Sequence, residues 1–370
     1  MLNSITMNSV SLQLSASSNE PQPSLSVEID SVGDPPMDAD RHVLDLPAES
    51  PPSAQSSEGC PSPLGWAEVL ESFRGESTCW SVAVDGASLH GRTLGSGRPL
   101  YFLNGISGTC ELFCLLAWLL REEFRCVLFD YREPNDQSRL GSRAGRPTLD
   151  LFVSDLLTVA EGQGDRAFCV FAAPFGSLVA LGTLARYPER IQRAILLGGF
   201  AHRRLSGFER LLCSAGRLIP GNLSRLPMRS TLQRASHQRA FPPFDASRWS
   251  FFARNTDQTT IRDLADRASL MASVDLRERL SRIERPVLLL RTEHEGAISS
   301  AGEDELERQL PQATSESIPL AGQLAYLTHP HRVAKAVRSF LGGDSSQQQG
   351  SPEGIGLDNS CCAYHKDESP

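Results

Sequence analysis

Long apolar runs are missing from this sequence. No stretch of about 18 uninterrupted apolar residues occurs, so no membrane-spanning helix is expected. Met1 to Val10 lack the basic start and apolar run that export requires, which points to a cytoplasmic location. The nine cysteines form no C-x-x-C pairs of the kind that hold zinc, and Cys169 lies in an apolar run as a small core residue. Reduced thiols are therefore expected. There is no Gly-rich phosphate loop and no His/Cys cluster, so no cofactor and no metal is expected. Nucleic acid has only local positive charge in its favour, without a motif. No internal repeat is present.

What is present suffices for a large core: 370 residues, 40% of them hydrophobic. The net charge of −8 is unevenly spread. Residues 1–60 hold nine acids and one base, Arg41, and residues 343–370 hold five acids and one base, Lys366, which leaves 61–342 at about +4. Residues 1–62 form an acidic Ser/Pro-rich segment without apolar periodicity. It cannot bury enough surface to offset its ordering entropy, and the same holds for 343–370. Both read as disordered tails.

Between the tails, short apolar runs alternate with helical patterns. Leu100–Leu103, Cys126–Phe129, Phe168–Phe171, Ala194–Leu197 and Val287–Leu290 read as strands. Continuous apolar strands are buried on both faces, so the fold is α/β, a mostly parallel sheet with helices on both sides. Leu112–Leu120, Leu149–Ala160 and Leu178–Ala185 supply helices, and residues 75–95 an antiparallel hairpin. Some 88 residues separate Leu197 from Arg285, more than one crossover helix needs. Residues 201–281 therefore read as an inserted helical cap over the carboxyl ends of the strands, dividing a core of 63–200 and 282–342. Phe208, Leu211, Leu212, Ala215 and Leu218 fall at helical spacing within it, flanked by Arg203, Arg204, Arg210 and Arg217. Residues 201–240 hold eight arginines and one acid, Glu209. Such a surface suits a solvated helix face, an anionic membrane, an acidic partner or the acidic tails.

Four stretches carry a resemblance to the α/β-hydrolase superfamily, over about Ser77 to Leu341. Leu103–Gly108 is similar to the oxyanion loop, and Phe171–Ser177 to the nucleophile elbow. Leu290–Glu295 resembles the strand and loop that present the acid. Gly322–Leu327 resembles the loop that normally reads Gly-His, ahead of a closing helix of about His331 to Leu341. An elbow needs small residues around its apex, and Ala172 and Gly176 meet that demand around position 174.

The resemblance places Pro174 at the nucleophile and Gln323 at the histidine. Proline has no nucleophilic atom and fixes φ near −65°, which implies a relaxed turn. An amide does not titrate, so Gln323 cannot shuttle a proton. Glu295 stands at the acid position, 28 residues before Gln323, either as a site-lining residue that orients the amide or as an exposed loop acid. Backbone N–H groups of Asn104, Gly105 and Phe175 are candidates for an oxyanion-hole-like pocket. Ser177 reads as a helix-packing residue, and Asp130 as a support for the loop. His294 is expected to point away, and His329 and His331 to cap the closing helix or face solvent. The implied protein binds a small acyl-type or hydrophobic ligand, or a partner, without triad catalysis. A working esterase- or lipase-like hydrolase with atypical residues, and an interaction protein acting through the basic cap and acidic tails, stay open beside it.

Overall fold

The computed structural model of the chain describes residues 65–84, 87–132, 146–226, 229, 245–292, 297–319 and 321–342. Both expected tails lie outside these residues. An opening helix, α1 (Trp66–Glu76), is followed by the hairpin β1 (Thr78–Val84) and β2 (Ala87–Leu94), then by β3 (Arg98–Leu103). A short 3-10 turn at Cys110–Phe113 leads into α2 (Cys114–Leu120), β4 (Phe124–Phe129), α3 (Leu149–Gly162), β5 (Phe168–Ala172), α4 (Pro174–Arg186) and β6 (Ile191–Leu197). The interval before β7 (Val287–Thr292) holds α5 (Gly207–Gly216), a 3-10 turn at Leu223–Arg225, α6 (Ala246–Asp257), α7 (Ile261–Ser273) and α8 (Arg277–Leu280). The described residues end with α9 (Ala297–Gln309), β8 (Ala313–Ile318), α10 (Ala325–Thr328) and α11 (Pro330–Gly342).

Among the described residues eight strands form one sheet in the order β1-β2-β4-β3-β5-β6-β7-β8. Pairing from β4 through β8 is parallel, and β2 alone runs against its neighbours. Alternation along the central strands feeds two cores. Leu100, Phe102, Cys169 and Phe171 face α1, α2 and α11, whereas Tyr101, Leu103, Val170 and Ala172 face α3, α4 and α9. Each large side chain buried this fully contributes about 1.5–3 kcal/mol, so the doubly covered strands carry most of the cohesion. The stretch read as one helix over Leu112–Leu120 is divided, because its first turn is the 3-10 segment that tightens against Phe102 and Tyr326. β8, with the sequence ATSESI, was not foreseen.

The insertion after β6 differs from the expected amphipathic helix in one respect. α5 begins at a capping box, in which Ser206 Oγ accepts from the Glu209 backbone N–H and the Glu209 carboxylate accepts from that of Ser206. Its inward face is small, Cys213 and Gly216, packed against α7. Phe208, Leu211 and Leu218 point out. Of the four arginines expected to flank one helix, only Arg210 lies within it. Arg203 pairs with Glu209, and Arg217 with Asp266 of α7 at 2.5 Å. Among the described residues no helix is long and apolar enough to cross a membrane.

Candidate functional site

The loop after β3 and the turn after β5 lie side by side at the carboxyl end of the sheet, where open α/β folds place ligand crevices. Asn104 is buried, and its side-chain amide donates to the Phe129 carbonyl at 3.1 Å and toward the Asp130 carboxylate at 3.4 Å. The same carboxylate accepts the Cys110 backbone N–H at 2.6 Å. Asp130 thus ties both ends of the loop, a structural part. The Asn104 carbonyl accepts from the Tyr131 hydroxyl at 2.9 Å. Gly105 lies beside the next turn: a Cβ built on it would stand in ordinary contact, 3.9 Å, with that of Ala173.

The turn itself is regular. Ala173 is extended (φ −74°, ψ 173°), its N–H donates to the Leu103 carbonyl at 3.0 Å, and α4 starts at Pro174 in its first turn. Proline suits that place, since its fixed φ is helical and the missing N–H has no intrahelical partner there. Gly176 is required by close approach: a Cβ would lie 2.5 Å from the Leu103 carbonyl oxygen. Ser177 is fully buried, and its hydroxyl donates to the Pro174 carbonyl at 2.6 Å. It serves the helix. Phe175 places its ring between Tyr131 and Phe152, edge-on to both at centroid distances of 5.4 and 5.2 Å. Its backbone N–H belongs to the first turn of α4, where N–H groups have no intrahelical acceptor.

Gln323 is half-buried in the loop between β8 and α10, and among the described residues its side chain makes no hydrogen bond. Three residues on, buried Tyr326 packs on Phe113 at 4.5 Å and on Phe171 of β5 at 6.5 Å, which anchors that loop toward the strand leading to Pro174. Glu295 and His294 lie outside the described residues. His329 is half-buried beside the Thr328 hydroxyl, 2.9 Å from its Nδ1, and burial pushes its pKa down. His331 is exposed on α11.

Residues that sequence reasoning passed over complete the site. Arg267 of α7 is buried, donates to the Ile106 carbonyl at 3.1 Å and lies over the Tyr131 ring at 5.2 Å. Gly108 adopts a positive φ of 93°, which lets its N–H donate to Thr259 Oγ1 at 2.9 Å, and Thr109 bonds Asn255. The insertion is therefore pinned onto the loop after β3. An arginine in a helical stretch of mixed charge gives no local sign of such a tertiary role.

The local electrostatics disfavour covalent chemistry at the nearest thiol. Burial pushes the Cys110 thiol well up, and the adjacent Asp130 and Glu111 carboxylates add to it, so the thiolate is scarce. Among the described residues no group of three His, Cys, Asp or Glu side chains is arranged to hold a metal ion. A separate open recess of about 400 Å³, lined by residues including Arg193, Thr314, Glu316 and Phe340, lies along β6 to β8 and α11.

This strand order, with β2 reversed and a helical insertion after β6, defines an α/β-hydrolase fold. The family model for the alpha/beta hydrolase fold matches residues 98–330, most of the chain, and the chain belongs to that family. Among solved structures it is similar to a hydrolase from Pseudomonas aeruginosa, at 22% identity over 72% of this chain and 99% of that one, with a TM-score of 0.59. A thermophilic esterase from Thermogutta terrifontis matches at 19% identity over 72% and 98%, TM-score 0.59. The enol-lactonase from Burkholderia xenovorans matches at 18% over 71% and 100%, TM-score 0.59.

Proposed function

We propose that this α/β-hydrolase-fold protein binds a small acyl-type or hydrophobic ligand beneath its helical cap without triad catalysis. The observation that supports this reading is the first turn of α4. The residue at the tip of the strand-to-helix turn is Pro174, which has no atom to attack with, and the Ser177 hydroxyl in the same helical turn is spent on the Pro174 carbonyl. The N–H groups of Gly105 and Phe175 then act as donors to a carbonyl or carboxylate, helped by the positive end of α4. Gln323 contributes a neutral hydrogen-bonding amide at the position where the family carries a histidine. The free thiols of the described cysteines, five of the six buried, fit a cytoplasmic setting.

A working hydrolase with a relocated nucleophile is the second reading, favoured by the descriptions of the solved relatives as hydrolase, esterase and lactonase. It would need Ser107, Cys110 or Ser177; the raised pKa of Cys110 and the engaged hydroxyl of Ser177 speak against those two.

Covalent labelling of the full chain with a fluorophosphonate, followed by peptide mass spectrometry, separates the two. The expected result is no stoichiometric adduct on a protein that unfolds cooperatively. An adduct on Ser107, Cys110 or Ser177 establishes the second reading. Slow turnover of an ester alone does not, because oxyanion-type groups and binding sustain about 10³–10⁴-fold over water even in triad-deleted enzymes.

A further inference from the structure

Phe208, Leu211 and Leu218 are 63%, 65% and 85% exposed, and Ile219 is 37% exposed. They share the outer side of α5 and the turn that follows it. Scattered surface leucines need no explanation, but four large apolar side chains within twelve residues form a patch. Among the described residues of the insertion, α5 is held by its other side, where Cys213 and Gly216 meet Ala265 and Ile261, and the patch takes no part in that packing. At such exposures the side chains stand clear of the surface instead of lining a groove. That shape suits a soft apolar phase better than a partner protein, which would need a complementary pocket for each.

Among residues 201–226 the outward-facing charge is of one sign. Arg204 and Arg210 are exposed, and among the described residues neither guanidinium makes an ion pair. Glu209, the only acid among residues 201–226, is turned inward, held by the Ser206 N–H at 2.8 Å and facing Arg203. Arg203 and Arg217 are engaged with Glu209 and Asp266, so the outward positive charge rests on Arg204 and Arg210, with Arg225 further along. Apolar side chains that insert, bordered by arginines that pair with lipid phosphates, are the two requirements of interfacial binding.

We propose that the outer face of α5 and the Leu218–Ile219 turn docks the protein reversibly onto an anionic lipid surface. Phe208, Leu211 and Leu218 enter the headgroup boundary, and Arg204 and Arg210 engage phosphate. Because the α5 insertion also packs on the loop after β3, docking would bring the candidate pocket close to the lipid phase from which a hydrophobic ligand partitions.

The test is co-sedimentation of the full chain with phosphatidylcholine vesicles, with and without about 30% phosphatidylserine, in low salt and about 0.5 M salt. The expected result is sedimentation with the anionic vesicles that falls as salt rises. Phe208→Ser with Leu211→Ser and Leu218→Ser should weaken it about tenfold or more in either salt. Arg204→Gln with Arg210→Gln should remove the preference for phosphatidylserine and leave a weak, salt-insensitive remainder. Thermal unfolding unchanged from the parent shows that the variants are folded, since every substituted side chain is exposed. Undiminished binding by the triple variant overturns the proposal, as does a parent protein that stays off anionic vesicles. If that parent instead dimerises in sedimentation velocity and the triple variant does not, the patch belongs to a second copy of the chain.

Discussion

The Ser177 hydroxyl donates to the carbonyl oxygen of Pro174 at 2.6 Å, closing the first turn of α4 on itself. A serine hydrolase holds its nucleophile at a strained tip between strand and helix. Here the tip is an ordinary helix start, and the nearby hydroxyl braces it. The difference therefore lies in backbone as well as side chain. Pro174→Ser combined with Gln323→His should remain unlabelled by fluorophosphonate, because a serine in that relaxed turn lacks the exposure of an elbow nucleophile. Stability should change by no more than about 1 kcal/mol, since proline at that helical position is favoured without being indispensable. Strong labelling and ester turnover in the double variant would mean that the turn retains its strain.

Asp130 offers a sharper test of how the loop after β3 is built. Asp130→Ala leaves the buried Cys110 N–H without its acceptor, and that loss costs about 1–3 kcal/mol. Asp130→Asn keeps one carbonyl acceptor and should cost clearly less. Chemical denaturation of the two variants checks this ordering, and equal losses would contradict it.

Gly176→Ala should destabilise by about 1–3 kcal/mol, because its Cβ meets the Leu103 carbonyl and Cβ, and a strand backbone buried in the sheet yields little. Gly207→Ala, with nothing within 4 Å, should be neutral or slightly stabilising. Comparable losses in both would show that helix propensity, not close approach, governs the two positions.

The pKa of His329 is depressed by burial, so the unfolded chain takes up its proton more readily than the folded one. Its contribution to stability is complete above the ordinary histidine range of about 6.5 and declines as pH falls below it, levelling off below the folded value. Relative to wild type, His329→Gln should therefore lose less stability between about pH 7 and 5. Thermal melts of both proteins across that range would read the difference, and parallel curves would refute it.

The apolar runs of β3 to β7 were legible because burial on both faces leaves their central positions apolar, while polar residues such as Arg125, Gln192 and Arg291 fall toward the strand ends. The turn at Pro174 was legible too, since small residues at Ala172 and Gly176 have a steric cause that shows in sequence alone. The orientation of α5 was not. Helical spacing of Phe208, Leu211 and Leu218 identifies an apolar side but not whether that side faces inward, and small residues on the opposite side won the contact with α7. Arg267 was hidden because its value comes from the Ile106 carbonyl, 161 positions away in sequence. β8 escaped because its alternation carries almost no hydrophobic signal: Thr314 through Ser317 are exposed, and only Ile318 is buried.

That polarity has a use. Among the described residues β8 ends the sheet, so one row of its backbone N–H and C=O groups has no described strand beside it. An apolar strand there would invite a strand from another copy to add on, the first step toward insoluble association. Thr314, Ser315, Glu316 and Ser317 make that pairing unprofitable. They place hydrated side chains and, at Glu316, a charge that would meet its own kind in an antiparallel neighbour. The segment hardest to recognise as a strand is thus the one whose polarity opposes edge-to-edge pairing with another copy.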